Sequence, residues 1–248
     1  MTRTCLVTGA SQGIGRAIAA RLSAAGHRLA LTARSAERLD EVAAELPGPS
    51  LAVPSDVTSS ADAVFDAVEQ HWGAVEVLVL NAGTASSAPL VDTTDDQWQR
   101  ALEVNLTAPF RFLRRAAPAM VEAGWGRVVV VASIAAQRGD PYVSAYTASK
   151  HGVLGLVRSA AAELAGTGIT INAVCPGFVD TPMTGSTIGT ITAKTGRSAE
   201  QARRILEQRQ PIGRLIEPEE VADAVELCVR SAAITGQAIN VDGGAVQS

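Results

Sequence analysis

The sequence predicts an α/β fold: a single doubly wound domain, with a seven-stranded, mostly parallel sheet covered by helices on both faces. Three observations predict it. Short aliphatic and β-branched runs near 3–8, 28–32, 50–53, 76–80, 126–132, 168–174 and 237–240 alternate with helical patterns, and such alternation requires crossover connections and therefore parallel strands. The 248 residues are 47% apolar and 19% charged, enough to bury a large core. No linker, internal repeat or low-complexity tract divides the chain.

Composition also excludes partners. A net charge of −4, with no basic run interleaved with aromatics, argues against nucleic acid or an anionic membrane surface. No apolar run reaches the ~18 residues a membrane span needs. The amino terminus enters a strand at once without the apolar core of a signal peptide, so the expected location is cytoplasmic. Cys5, Cys175 and Cys228 lie far apart in apolar segments, as core thiols of a reducing compartment do. His27, His71 and His151 lack metal-ligand spacing, and no metal is expected.

The first strand runs into Thr8-Gly9-Ala10-Ser11-Gln12-Gly13-Ile14-Gly15. Glycines there permit a tight turn, and N–H groups at the start of a helix hold a pyrophosphate, so Gly9, Ser11, Gln12, Gly13, Ile14 and Gly15 are candidate dinucleotide ligands in a Rossmann-type domain. The helix that follows carries Ile14, Ile18, Leu22 and Ala25 on one stripe and stops at Gly26. At the end of the second strand a carboxylate would bind the adenosine ribose, but the chain reads Thr32-Ala33-Arg34-Ser35. Arg34 offers a planar cation and Ser35 a hydroxyl to a 2′-phosphate, favouring NADP(H), with NAD(H) the alternative. Ser35 then opens a helix expected to bury Leu39, Val42 and Leu46.

After the third strand, Asp56-Val57 suits either an adenine contact or the cap of a helix beginning near Thr58. The fourth strand closes on Asn81-Ala82-Gly83, small enough to run close beneath a flat cofactor. A long helical pattern over 94–123 follows. Within it Pro109 has no N–H for the carbonyl of Asn105, which predicts a bend there, although Pro118 in the same pattern is equally able to kink it. Ser133 ends the fifth strand, and Tyr146 and Lys150 lie one turn apart on the next helix, 144–165. Phenols titrate near ~10, and an ammonium at i+4 is expected to lower that value. Tyr142 has no such partner, because Tyr146 stands four residues on.

The sixth strand ends at Cys175-Pro176-Gly177. Residues 184–198 hold ten Gly, Ser or Thr and read as a mobile loop, before a Ser198–Gln201 capping box opens a helix carrying Arg203 and Arg204. A substrate lid is expected at about 184–210, since long segments at the carboxyl edge of such sheets close over ligands. Lys194, Arg197, Arg203 and Arg204 are its candidate cations for a phosphorylated thioester.

These residues in this order resemble the short-chain dehydrogenase/reductase family: TGASQGIG at 8–15, NAG at 81–83, Asn105, Ser133, YTASK at 146–150 and PG at 176–177. The resemblance spans the whole chain. It implies that Tyr146 is the acid in reduction, that Ser133 binds the substrate oxygen, that Lys150 holds the nicotinamide ribose, and that Asn105 leads a proton relay. It also implies that Pro176, Gly177, Val179 and Thr181 contact the nicotinamide.

Residues 146–183 are most similar to reductases of 3-oxoacyl thioesters on carrier protein or CoA, and to discrete polyketide ketoreductases. Against the polyketide type, Thr84-Ala85-Ser86-Ser87-Ala88-Pro89 stands where those enzymes tend to carry Pro-Gly-Gly; against the carrier-protein type, Thr167 replaces an arginine. The expected activity is reduction of a 3-oxoacyl thioester or related ketone. The alternatives are NAD-linked oxidation of a secondary alcohol or 3-hydroxyacyl-CoA, and a nucleotide-binding protein without turnover. Apolar or small residues around much of helices 94–123 and 144–165, as Val153, Leu154, Leu156, Val157, Ala160, Ala161 and Leu164 show, predict a homo-oligomer, and the family resemblance implies a tetramer.

Overall fold

Short aliphatic runs buried on both faces decide how this chain folds. In the computed structural model, which describes residues 1–247, the strands are β1 (Thr4–Thr8), β2 (Arg28–Thr32), β3 (Ser50–Ala52), β4 (Val77–Leu80), β5 (Gly126–Val131), β6 (Ile169–Pro176) and β7 (Ala238–Val241). They form one sheet in the order β3-β2-β1-β4-β5-β6-β7, and every pair is parallel, with Val7 beside Val79 and Val79 beside Val129. All seven expected strands are present, with ends displaced by at most two residues.

The helices are α1 (Gly13–Ala24), α2 (Ala36–Glu45), α3 (Ala61–Trp72), α4 (Asp95–Leu102), α5 (Ala108–Ala123), α6 (Ser144–Leu164), α7 (Pro182–Thr195), α8 (Ala199–Gln208) and α9 (Pro218–Arg230). Successive strand residues point to opposite faces, so Leu6, Leu78, Val128 and Ile171 pack with α3, α5 and α6, while Val7, Val79, Val129 and Val174 pack with α1, α2 and α9. Each fully buried aliphatic side chain contributes about 1.5–3 kcal/mol, and the two layers together hold the strand ends in place. The strand order reverses between β1 and β4, which opens a crevice at their carboxyl ends.

Three local expectations need correction. Ala25 is exposed, because α1 ends at Ala24 and Ala25 only caps it. Leu46 is half-buried, packed at the edge of its core layer beyond α2. The segment 184–198 is not a loop: α7 occupies most of it. Thr181 caps α7 with Pro182 at its first position, Gly196 ends it with φ 70°, and the hydroxyls of Ser186, Thr187, Thr190 and Thr195 donate to carbonyls four residues back. Hydroxyls that would compete with a helix are here spent on it. The Ser198–Gln201 capping box forms as expected.

The bend near Asn105 takes the form of a π-helical turn, Glu103–Thr107, between α4 and α5, in which the N–H of Ala108 donates to the carbonyl of Glu103. Pro109 sits in the first turn of α5, and Pro118 lies within that helix without ending it.

Candidate active site

The glycine loop is shaped by close approach. A Cβ at Gly15 would lie 2.2 Å from the carbonyl oxygen of Gly9, and one at Gly9, whose φ is 66°, would lie 2.9 Å from Ala82 Cα. Asn81 braces this loop rather than facing the cleft with its amide, since Nδ2 donates to the carbonyls of Thr8 (3.0 Å) and Gly9 (3.1 Å). Thr8 completes the brace by accepting from the N–H groups of Asn81 and Ala82. No side chain caps α1 and no acid stands in its first turn, so its N-terminal N–H groups and dipole remain directed at the cleft.

The cleft is a cavity of about 490 Å³ along the carboxyl ends of the strands. At one end are Gly9, Ser11, Gln12, Gly13 and Ile14 with Arg34, Ser35, Asp56 and Val57; Asn81, Ala82 and Gly83 form its floor; Ser133, Tyr146, Lys150, Pro176, Gly177, Val179 and Thr181 line the other end. Of the residues singled out in the sequence, Gly15 and Asn105 do not line it, the first buried beneath the loop and the second behind Thr84, and neither do the expected lid cations Lys194, Arg197, Arg203 and Arg204, of which Arg203 pairs with Asp180 and Glu207 and Arg204 with Glu200.

Arg38 and Arg100 join the wall and escaped the sequence reading. Arg38 was legible in retrospect, being one turn beyond Arg34 on a helix capped by Ser35. Its guanidinium donates to Gln12 Oε1 at 3.1 Å, and among the described residues neither Arg34 nor Arg38 pairs with a carboxylate. The side chain of Asp56 accepts from the N–H (2.9 Å) and hydroxyl (2.7 Å) of Thr58, and those bonds hold its carboxyl below the usual range. It closes a turn there, while α3 starts three residues later than expected.

At the far end, Ser133 leaves β5 and its hydroxyl accepts from the N–H of Ala135 at 3.1 Å. It also faces Tyr146, where it favours the charged form of the phenol. Lys150, 5% exposed, donates from Nζ to the Val131 carbonyl at 3.0 Å and lies 5.7 Å from the Tyr146 ring centre. The expected acidification of the phenol by this ammonium is not seen: burial pushes the Tyr146 phenol up, with the Ser133 hydroxyl working against it, and burial pushes Lys150 down to about 8. Desolvation disfavours both charged forms, and the ammonium sits over the ring.

Asn105 is buried and wholly engaged by its side chain, accepting from the Thr84 N–H (2.9 Å) and donating to the Thr84 carbonyl (2.9 Å) and to Ser149 Oγ (3.0 Å). Ser149 in turn donates to the Tyr146 carbonyl at 2.7 Å. The π-helical turn is therefore linked to the helix that carries the tyrosine.

The cleft tests well for a dinucleotide on these grounds alone: a cradle that any Cβ would fill, an uncapped helix start, and two arginines without carboxylate partners at the end away from Tyr146. Among the described residues there is no group of three metal-binding side chains, and no helix is long and apolar enough to cross a membrane.

Residues 9–246 match the family model described as enoyl-(acyl carrier protein) reductase. The chain is 38% identical to 3-oxoacyl-(acyl-carrier-protein) reductase MabA of Mycobacterium tuberculosis over 98% of this chain and 93% of that one. It is 36% identical to D-beta-hydroxybutyrate dehydrogenase of Rhizobium meliloti over 98% of both. Among solved structures, an actinorhodin polyketide ketoreductase variant with NADPH is similar at a TM-score of 0.95 and 40% identity, covering 98% of this chain and 97% of that one. The departure at 84–89 is thus a local difference within a close overall likeness to the polyketide type. The glycine cradle, the strand order and these likenesses together identify the chain as an oxidoreductase that belongs to the short-chain dehydrogenase/reductase family.

Proposed function

We propose that the protein is an NADP(H)-dependent reductase of a 3-oxoacyl thioester or related ketone. The observation that carries this reading is the meeting of Ser133, Tyr146 and Lys150 on one wall of a cleft whose opposite end presents Arg34 and Arg38. Similarity to a polyketide ketoreductase held with NADPH and to a 3-oxoacyl reductase supports it.

The bound nicotinamide would supply the hydride that the carbonyl carbon accepts. Tyr146 gives its phenolic proton to the carbonyl oxygen, and a phenol kept neutral by burial is in the right state to do so. Ser133 holds that oxygen at the distance a reacting geometry needs, about 3 Å. Lys150, protonated below about pH 8, binds the nicotinamide ribose. Arg34, Arg38 and Ser35 bind the 2′-phosphate; Gly13, Ile14 and the start of α1 bind the pyrophosphate; Asp56 and Val57 border the adenine. Pro176, Gly177, Val179 and Thr181 support the nicotinamide, and Asn105 orders the floor through Thr84 and Ser149. We assign α7 and α8 as the substrate lid of a single catalytic domain.

Loss of NADPH absorbance with acetoacetyl-CoA, and with a panel of small ketones, tests the reading; no turnover with any of them would refute it. The second reading, NAD-linked oxidation of a 3-hydroxy compound, is favoured by likeness to D-beta-hydroxybutyrate dehydrogenase. Comparing affinities for NADPH and NADH separates the two.

Trp98, Phe110 and Val121 expose apolar surface on α4 and α5, which supports assembly through these helices as a homotetramer. On α6, Val153, Leu154, Val157 and Ala161 are buried in the chain's own core and Leu156, Ala160 and Leu164 pack partly against it, so of the two expected helical faces α4 and α5 carry most of the proposed interface. Sedimentation of a lone 25.6 kDa species would refute it. Three free, buried cysteines suit a reducing cytoplasm.

A further inference from the structure

Gln210 is buried to 1% exposure, just past the end of α8, where an apolar side chain would cost less to bury. Its carboxamide is satisfied by backbone alone. Oε1 accepts from the N–H of Phe178 at 2.8 Å, while Nε2 donates to the carbonyls of Phe178 (3.2 Å) and Arg214 (2.6 Å). Both backbone groups of Phe178 are held in the way a neighbouring strand would hold them.

The residue before it is fitted to the same amide. A Cβ at Gly177 would lie 2.2 Å from Gln210 Oε1, so the glycine leaves the room the carboxamide fills. On the other side the N–H of Gly177 donates to the Val241 carbonyl at 3.0 Å. The turn after β6 is thus held on one side by β7, on the other by the backbone of Ile216, which donates to the Phe178 carbonyl (2.9 Å) and accepts from the Asp180 N–H (2.8 Å), and at the Phe178 N–H by one side chain 32 residues further along. Gly177, Val179 and Thr181 from this turn line the cleft. Because α7 begins at Pro182 and α8 ends at Gln208, both ends of the lid are fastened to the same short stretch of backbone.

We propose that Gln210 is a positioning residue for the nicotinamide end of the cleft: its carboxamide fixes the Gly177–Phe178 turn, and with it the wall on which the ring rests. The inference depends on the dinucleotide reading given above. Without the amide, the N–H of Phe178 is left buried and unmatched, and the turn shifts to find another acceptor. The adenosine end, built on β1, β2 and α1, has no contact with Gln210 and keeps its shape.

The test is binding of two ligands, NADPH and 2′-phospho-ADP-ribose, which lacks the nicotinamide, to the wild type and to Gln210→Met, Gly177→Ala and the double variant, with thermal melting to establish folding. Gln210→Met is expected to weaken NADPH roughly tenfold and leave the fragment within about twofold. Gly177→Ala, which drives the amide from its place, should do the same, and the double variant should be no weaker than the worse single one, because both break one arrangement. Equal weakening of both ligands, wild-type affinity in both single variants, or failure of both to fold would each overturn the proposal, the last by making the amide a requirement of the fold. Wild-type protein that bound the fragment but not NADPH would also overturn it. Binding of neither ligand by the wild type would remove the dinucleotide reading itself.

Discussion

The two ends of the cleft are built by different means. The adenosine end rests on β1 and β2, whose aliphatic residues are fully buried, and on α1, which locks Ile18, Ala19 and Leu22 beneath the glycine loop. The proposed substrate end borders the start of α7, in which only Thr184 is buried, and α8, the other helix of the proposed lid, buries Ala202 and Leu206. Few buried contacts mean low local stability. A ligand common to many reactions can be met by rigid strand ends, whereas a substrate must be admitted and enclosed, and a weakly attached helical pair does that. The proposed catalytic side chains stand on the rigid side of this divide, just after β5 and on α6.

The strongest blow to that division falls on the catalytic side chains. Tyr146→Phe removes the proton donor without a change of shape, and should lower kcat by about 10²–10⁴ with NADPH affinity within about twofold. Steady-state rates and a fluorescence titration check it; a variant that kept wild-type turnover would dismiss Tyr146 as the acid.

Lys150→Met should lower turnover at least roughly tenfold while raising the melting temperature by a few degrees. The sign follows from the lowered lysine pKa. Between 10.5 and about 8 the unfolded chain takes up a proton that the folded one refuses, so the charge weighs fully against folding below about pH 8 and not at all above 10.5. The gain in melting temperature should therefore be largest below pH 8 and fade at high pH. For the same reason wild-type reduction should fall as pH rises through about 8. A variant less stable than the wild type at pH 7 would show that the Val131 bond outweighs the buried charge.

At the adenosine end, replacing Arg34 and Arg38 together with alanine should weaken NADPH by about 10²–10⁴, since charge-assisted bonds contribute about 1.5–3 kcal/mol each, and should leave NADH nearly unchanged. Parallel titrations decide it. An equal loss for both nucleotides would mean that the arginines shape the end of the cleft and do not read the phosphate.

The same divide explains what could be read from the sequence. Parallel strands announce themselves because their residues are mostly aliphatic on both faces, and the glycine loop because its spacing has a steric cause visible in Gly9 and Gly15. Residues that act through contacts distant in sequence stayed hidden: Arg38 reaches Gln12, Asn105 reaches Thr84 and Ser149, and Gln210 reaches Phe178. The helix α7 was hidden for another reason. Thr and Gly lower helix propensity, and the Thr181 cap, Pro182 at the start and Gly196 at the end, which no composition count contains, mark that stretch as a helix. The effect of burial on Tyr146 and Lys150 was likewise absent from a reading that placed the two side chains but not their solvent.

The smallest expected effect bears most directly on the contrast between the two ends. Arg203 on α8 makes two bonds to Asp180, Nη1 to Oδ1 at 3.3 Å and Nη2 to Oδ2 at 2.6 Å, and a third to Glu207. The pair is exposed, so its loss should cost about 0.2–1 kcal/mol and leave the melting temperature nearly unchanged. That small energy is nonetheless a large share of what holds α8 to the 178–181 turn, because the helix buries so little else. Arg203→Ala should therefore speed hydrogen exchange across 182–208 and raise the KM for the ketone two- to threefold, roughly what the lost energy allows. Exchange in β1, β4 and α1 should not change. Faster exchange at both ends would mean that the lid is continuous with the core, and the division between a fixed cofactor floor and a loosely held roof would fail.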